Sequence, residues 1–181
     1  RIEIMTQYYV SIQKNSFVQY HPELIDEWDD EKNDKLKMEM FSVGSGVKVW
    51  WKCDKGHSYS MSFDSRNKGG GCPICAGQKL LEGFNDLKTR YPEIAKEWCY
   101  KKNDNLMPQQ FMPGSNIKVW WTCKNNHTYK ATIASRTIVQ SGCPYCSGRK
   151  AISGVNDLCT KYPWIKERWD FEKNIQINPK L

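Results

Sequence analysis

Two sets of four residues in this chain have the types and spacing of a metal site. The first reads Cys53-x3-His57-x14-Cys72-x2-Cys75 and the second Cys123-x3-His127-x15-Cys143-x2-Cys146. Three thiolates and one imidazole, in two close pairs separated by a strand and a loop, form the Cys3His donor set of a tetrahedral structural zinc site. Soft sulfur and nitrogen donors exclude magnesium and calcium, and four protein ligands leave no position open for a catalytic water. Each CPxC pair has Gly two residues on, the sign of a knuckle turn whose backbone N–H groups stabilise the thiolates. Eight Cys in 181 residues could instead form four disulfides of a secreted protein. That reading must explain why one member of each quartet is His. Two structural zinc ions are therefore expected, in preference to disulfides or an iron–sulfur cluster.

The pieces that must hold these ligands are repeated as well. Gly44–Cys53 (GSGVKVWWKC) returns seventy positions on as Gly114–Cys123 (GSNIKVWWTC). Cys72–Lys79 (CPICAGQK) returns seventy-one positions on as Cys143–Lys150 (CPYCSGRK), so the second copy has one extra residue between Arg136 and Cys143. A further motif occurs three times, at His21–Asn33, Tyr91–Asn103 and Tyr162–Asn174. Repetition also sorts the spare candidates. Cys99 corresponds to Asp29 and Asp170, Cys159 to Val18 and Lys88, and His21 to Tyr91 and Tyr162, so none is a repeated ligand. The chain divides into an N-terminal extension (1–14), zinc repeat one (15–83), zinc repeat two (84–154) and the helical half of a third repeat (155–181). The third repeat's stop at Leu181 implies a longer array, a half-cap or a fragment. The start on Arg1 implies a processed form or a piece of something longer.

Pattern supplies the elements. Pro22, Pro92 and Pro163 are each placed at the first position of a short helix, where the missing N–H does no harm. Leu24 and Trp28, Ile94 and Trp98, and Ile165 and Trp169 lie at i, i+4 and give each helix an apolar stripe. Upstream, Ser16, Asp86 and Asp157 occupy N-cap positions before Phe17, Leu87 and Leu158. KVWWKC and HSYSMSF read as two strands of a hairpin with the Cys–His turn between them, and Gly69, Gly70 and Gly71 mark a tight loop into CPIC. A module of roughly 35–40 residues cannot bury enough apolar surface to offset its chain entropy. A structural zinc contributes on the order of 10–16 kcal/mol in zinc-finger peptides, enough to make such a segment fold.

The pattern WWxC-x3-H-x-Y…SR…GCPxCxGxK, preceded by PExxxEW…KN and followed by GxNDL, resembles the tandem treble-clef zinc-finger or zinc-ribbon repeats. These occur in bacteria, large DNA viruses and some eukaryotes, sometimes beside restriction-endonuclease-like domains. The resemblance covers nearly the whole chain from about Asn15 onward. It implies small α+β zinc-stabilised repeats: two modules, each a β-hairpin with short helices, and a truncated third. It also implies a nucleic-acid-binding role. Two features depart from the pattern: the third repeat lacks its zinc half, and Ser16 stands where the Asp of NDL belongs.

Charge points the same way. The chain carries 27 Lys and Arg against 20 Asp and Glu, net +7. Residues 41–80 hold net +4 and residues 111–151 net +6, leaving −3 for the rest. Such a footprint suits a phosphate backbone; the plainer alternative is a solvated basic face. Strand parity puts Val49, Trp51 and Cys53 on one face with Tyr59, Met61 and Phe63, and Lys48, Trp50 and Lys52 on the other. In the second copy Val119, Trp121, Cys123, Tyr129, Ala131 and Ile133 share the zinc side, opposite Lys118, Trp120 and Thr122. Lys48, Trp50, Arg66, Lys79, Lys118, Trp120, Arg136, Arg149 and Lys150 are the candidate nucleic-acid contacts. Trp50 and Trp120 could stack on bases or sugars; the preferred reading packs them against Trp28 and Trp98 in a second small core.

Composition bounds the rest. No apolar run is long enough to span a membrane, no signal peptide begins the chain, and 13% aromatic content argues against disorder. No Gly-rich phosphate loop, G-x-S-x-G elbow or H-E-x-x-H occurs. Glu31-Lys32 and Asp170…Lys173 look like fragments of a nuclease site, but the middle copy reads Tyr100-Lys101-Lys102, and a solvated helix end explains them better. The expectation is a non-catalytic zinc protein that binds nucleic acid, DNA favoured and RNA possible, without a small-molecule substrate. A linked nuclease domain would fit. The rival class is a structural or protein-interaction subunit of a larger assembly, such as a ribonucleoprotein or ribosome. Intact thiolates imply a reducing compartment: cytoplasm, nucleus or an organelle matrix.

Overall fold

Alternation along KVWW fixes which side of each hairpin is buried. The structure is a computed structural model that describes residues 15–174, 176 and 177. It divides into two units, Arg1–Lys79 and Leu80–Leu181.

In the first unit, helix α1 (Phe17–Tyr20), a 3-10 segment (Pro22–Glu27) and helix α2 (Asp30–Asn33) precede strand β1 (Lys48–Lys52). Strand β2 (Ser58–Ser62) returns antiparallel, with Trp50 opposite Ser60 and Trp51 opposite Tyr59, and runs directly into helix α3 (Phe63–Asn67). The core gathers Phe17, Val49, Trp51, Tyr59 and Phe63. Trp28 meets Trp51 edge to face, with centroids 5.8 Å apart and planes at 90°, a favoured aromatic geometry.

The second unit repeats this plan. Helices α4 (Leu87–Arg90) and α5 (Pro92–Ala95) precede strands β3 (Lys118–Thr122) and β4 (Thr128–Thr132), and helix α6 (Ile133–Thr137) follows. Trp120 lies opposite Lys130 and Trp121 opposite Tyr129. Leu87, Trp98, Val119, Trp121, Tyr129 and Ile133 form one buried cluster. Helices α7 (Leu158–Lys161) and α8 (Ile165–Arg168) complete the unit. Both hairpins bury the face that strand parity assigns to the zinc side.

Local chemistry explains the helix starts. Asp86 accepts hydrogen bonds from the Gly83 and Thr89 N–H groups and the Thr89 hydroxyl, and Asp157 takes the matching three from Gly154 and Thr160. The glycine is required: φ is +80° at Gly83 and +79° at Gly154. Ser16, where the departure from NDL lies, makes no side-chain cap bond to helix α1 and instead forms a bridge with Ser42. Two helix expectations change. Pro22–Glu27 is a 3-10 helix, and the chain turns extended at Trp28, which bridges Trp51. Pro163 precedes helix α8, which starts at Ile165.

An asparagine joins the helical half to the hairpin. Asn33 donates to the Trp50 carbonyl at 2.7 Å and accepts from the Trp50 N–H at 2.8 Å. Asn103 does the same to Trp120, at 2.9 and 2.8 Å. Each buried amide acts as a short surrogate strand, satisfying both main-chain groups of one residue. Asn103→Ala should therefore cost the zinc-loaded protein about 2 kcal/mol, read from urea unfolding of the second unit. A loss below about 0.5 kcal/mol, the range of an ordinary surface change, would show that the clamp does not hold the strand.

Candidate metal centres

Each ligand quartet is assembled from two knuckles. Between β1 and β2, the Cys53 N–H donates to the His57 carbonyl at 3.1 Å and the Gly56 N–H to the Cys53 carbonyl at 2.8 Å, with Gly56 at φ +77°. The second knuckle, Cys72–Cys75, is closed by the Ala76 N–H on the Cys72 carbonyl at 3.0 Å and by Gly77 at φ +67°. In repeat two, Asn126 takes the left-handed position at φ +60° and Gly148 stands at φ +72°.

The four donor atoms of Cys53, His57, Cys72 and Cys75 lie within 4.8 Å of one another, as do those of Cys123, His127, Cys143 and Cys146. Cys53 Sγ is 3.8 Å from Cys75 Sγ and 3.5 Å from His57 Nδ1, which is 3.3 Å from Cys75 Sγ and 3.8 Å from Cys72 Sγ. The second quartet gives 3.7, 3.6, 3.3 and 3.7 Å. Tetrahedral zinc with Zn–S and Zn–N bonds of about 2.3 and 2.05 Å has S···S and S···N edges of about 3.8 and 3.6 Å. The quartets match those edges, and every Cys is free of disulfide. The donor set thus fits one structural zinc ion per quartet, held by Nδ1 of each histidine.

The surroundings prepare the thiolates. Burial alone would raise the Cys53 thiol, but N–H groups of His57 and Lys55 and the neighbouring Cys75 and Cys72 outweigh it and hold it below its ordinary value. Cys123 is lowered in the same way, against burial, by Asn125 and His127. Burial and the adjacent Cys53 and Cys72 push Cys75 up to about 11. Metal binding must therefore displace a proton from the last Cys of the quartet.

A family model described as "Probable Treble clef zinc finger domain" matches residues 24–78 and 94–149. The chain belongs to this family. No curated protein matches the chain. Each treble-clef match begins within the helical half and ends just past the second knuckle, taking in the tryptophan, the asparagine and all four ligands.

Other sequence candidates fall into two groups. Lys48, Lys79, Lys118, Arg149 and Lys150 are exposed. Arg66 and Arg136 are not surface contacts: each is only 7% exposed. Arg66 pairs with Glu27 at 3.0 Å and donates to Tyr59 Oη at 2.9 Å and to the Gly70 carbonyl at 2.8 Å. Tyr59 in turn donates to Glu27 at 3.0 Å. Arg136 pairs with Glu97 and bonds the Ser141 carbonyl, and Tyr129 donates to Glu97. Burying a guanidinium requires such a carboxylate, so the SR arginine of each treble clef is a structural cross-link between its halves. The extra residue of repeat two lies before that carbonyl, Arg136 reaching five positions on and Arg66 four.

Trp50 and Trp120 do not pack against Trp28 and Trp98, which turn instead to Trp51 and Trp121. Trp50 is 38% exposed with Lys32 Nζ 4.3 Å from its ring centroid, and Lys102 Nζ stands 4.4 Å from that of Trp120. Sequence reasoning missed Glu27, Glu97, Lys32 and Lys102; the signal was the recurring Glu-Trp and Lys-Asn pairs. In the third copy, Arg168 replaces that glutamate before Trp169, its guanidinium 5.7 Å from the Trp164 ring centroid.

Zinc analysis should find two ions per chain, unchanged by Cys99→Ser or Cys159→Ala and reduced to one by Cys143→Ala. Exhaustive chelation should abolish the cooperative melt of both units, and an unchanged melt would defeat the structural assignment. Glu97→Gln should cost about 3 kcal/mol by orphaning Arg136, and Glu97→Gln with Arg136→Met should recover part of it. Equal losses in the single and double variants would exclude the cross-link.

Proposed function

We propose that this chain is a non-catalytic zinc-repeat module that binds nucleic acid, DNA in the first instance, by phosphate contacts from the outward faces of its zinc hairpins. One observation carries the reading. The outward face of the first hairpin consists of Lys48, Lys52, Trp50, Ser58, Ser60 and Ser62, and that of the second of Lys118, Lys130, Trp120, Thr122, Thr128 and Thr132. Each has two lysines, one tryptophan and three hydroxyls, and its strands carry no carboxylate; of the hydroxyls, Ser58 donates to the buried Asp29, and Ser62 and Thr132 cap the helices that follow. The second lysine has moved from strand β1 to strand β4 between the copies, yet the composition is the same. Lysines on hydroxyl-rich strands fit a phosphate backbone. The buried arginines add nothing to this surface because their charge is met by Glu27 and Glu97.

Family membership supports a zinc-stabilised scaffold. No helix of the described residues is long and apolar enough to cross a membrane. A thiolate site that must stay metallated suits a reducing compartment. A protein-docking role is favoured by one separate feature, the exposure of Val155, Tyr162, Trp164 and Phe171 in the third helical half.

Anisotropy with labelled oligonucleotides should give an affinity that falls steeply between about 50 and 200 mM salt. The variant Lys48→Ala/Lys52→Ala/Lys118→Ala/Lys130→Ala, with both zinc ions retained, should bind about tenfold or more weakly, its log–log salt slope smaller by about 0.7–0.9 per contact removed. Affinity indifferent to salt and to the four lysines would refute the reading and leave the third helical half as the docking surface to pursue.

A further inference from the structure

We infer that the ligand of these faces is single-stranded nucleic acid, with one unpaired base stacked on Trp50 and another on Trp120. The inference rests on the nucleic-acid reading above and sharpens it to a ligand class and two residues.

The outward tryptophan in the middle of each five-residue strand stands on the face opposite the aromatic core, Trp50 38% exposed and Trp120 half-buried. Its neighbour in sequence, Trp51 or Trp121, is fully buried and fills the core. The main chain that carries the outward ring is held in place, because Asn33 or Asn103 clamps both main-chain groups of the same residue, and Lys32 or Lys102 lies over the ring. A rigid aromatic on a rigid strand is a preorganised stacking surface, losing little freedom when it is covered.

The cations around the ring are arranged for the phosphates that flank a stacked base. Lys48 and Lys52 lie two positions to either side of Trp50 on the same face, about 7 Å away along the strand. Trp120 has Lys118 two positions away and Lys130 directly across, its Nζ 5.9 Å from the ring centroid. Lys32 and Lys102 already sit over the rings at 4.3 and 4.4 Å. Each is exposed and carried by the residue before the clamp, so it can leave the ring for a phosphate when a base takes its place.

The alternative of an intact duplex is disfavoured by shape. Bases in a duplex offer only their edges, and a major-groove reader needs a helix long enough to lie in the groove. Among the described residues no α-helix exceeds five residues, and the outward faces bear short hydroxyl side chains around one large ring. A flat, singly aromatic, basic surface is suited to unstacked bases, which every single strand supplies irrespective of sequence.

The test uses the full zinc-loaded chain with mixed-sequence oligomers, as single-stranded deoxy, single-stranded ribo and blunt deoxy duplex forms. Single strands should bind about tenfold or more tightly than the duplex at equal salt and quench part of the tryptophan emission. Preference between the deoxy and ribo strands assigns the sugar. Trp50→Ala/Trp120→Ala, checked for two zinc ions and an unchanged melt, should weaken single-strand binding about tenfold or more per tryptophan. Trp50→Phe/Trp120→Phe keeps an aromatic face; it should hold affinity within about threefold while losing most of the quenching, which identifies the rings even if the alanine variant misfolds. Duplex binding as tight as single-strand binding, or quenching unchanged in the phenylalanine variant, overturns this inference and leaves the lysine–phosphate reading standing. No binding to any oligomer overturns both.

Discussion

Four donors around one zinc ion fix the distance between the two turns of each unit. Each unit offers a pair of five-residue strands and helices of four or five residues, well below the length at which helix or hairpin is stable alone. The knuckle between the strands and the knuckle after helix α3 or α6 are drawn to tetrahedral spacing, and the core aromatics are thereby forced together. Trp51 and Trp121 lose contact with water because the hairpin face that carries them also carries the first ligand, Cys53 or Cys123.

A second set of bonds joins the zinc half to the helical half that precedes it. The buried arginine, the carboxylate before Trp28 or Trp98 and the core tyrosine bond one another across the junction, while the asparagine amide extends the hairpin by the equivalent of one residue of strand. Neither device reaches the metal, but both set where the outward face lies. The lysine that covers the exposed ring is placed by the same segment that supplies the amide, a short helix in the first unit and a turn in the second.

The parts of this architecture that were legible in the sequence are those that depend on spacing within one strand or one turn. The ligand quartets follow from counting between Cys and His, and the buried and exposed faces of KVWW follow from parity. What escaped is non-local. Arg136 looked like a surface cation because its partner Glu97 lies 39 positions upstream, and Asn103 meets Trp120 across 17 positions. Basic residues recurring in a basic segment suggested a ligand outside the protein, when one of each set was answering a carboxylate inside it. Trp50 was expected to meet Trp28, but the bridge from Trp28 to Trp51 turns the helix-borne ring inward. Recurrence of Lys-Asn in all three copies and of Glu-Trp in two carried the information, without saying which residues met.

The charge reversal at Arg168 bears on how a repetitive chain avoids folding out of frame. The zinc half of repeat two lies between two helical halves of similar sequence, one before it and one after, and both carry the tryptophan and the asparagine that grip a hairpin. Seating on the later one would bring Arg136 against Arg168, two guanidiniums in a place built to bury one. Seating on the earlier one brings it to Glu97. A single inverted side chain thus disfavours the later seat for the second hairpin, whereas the first hairpin has a glutamate before the tryptophan, Glu27 or Glu97, on either side of it.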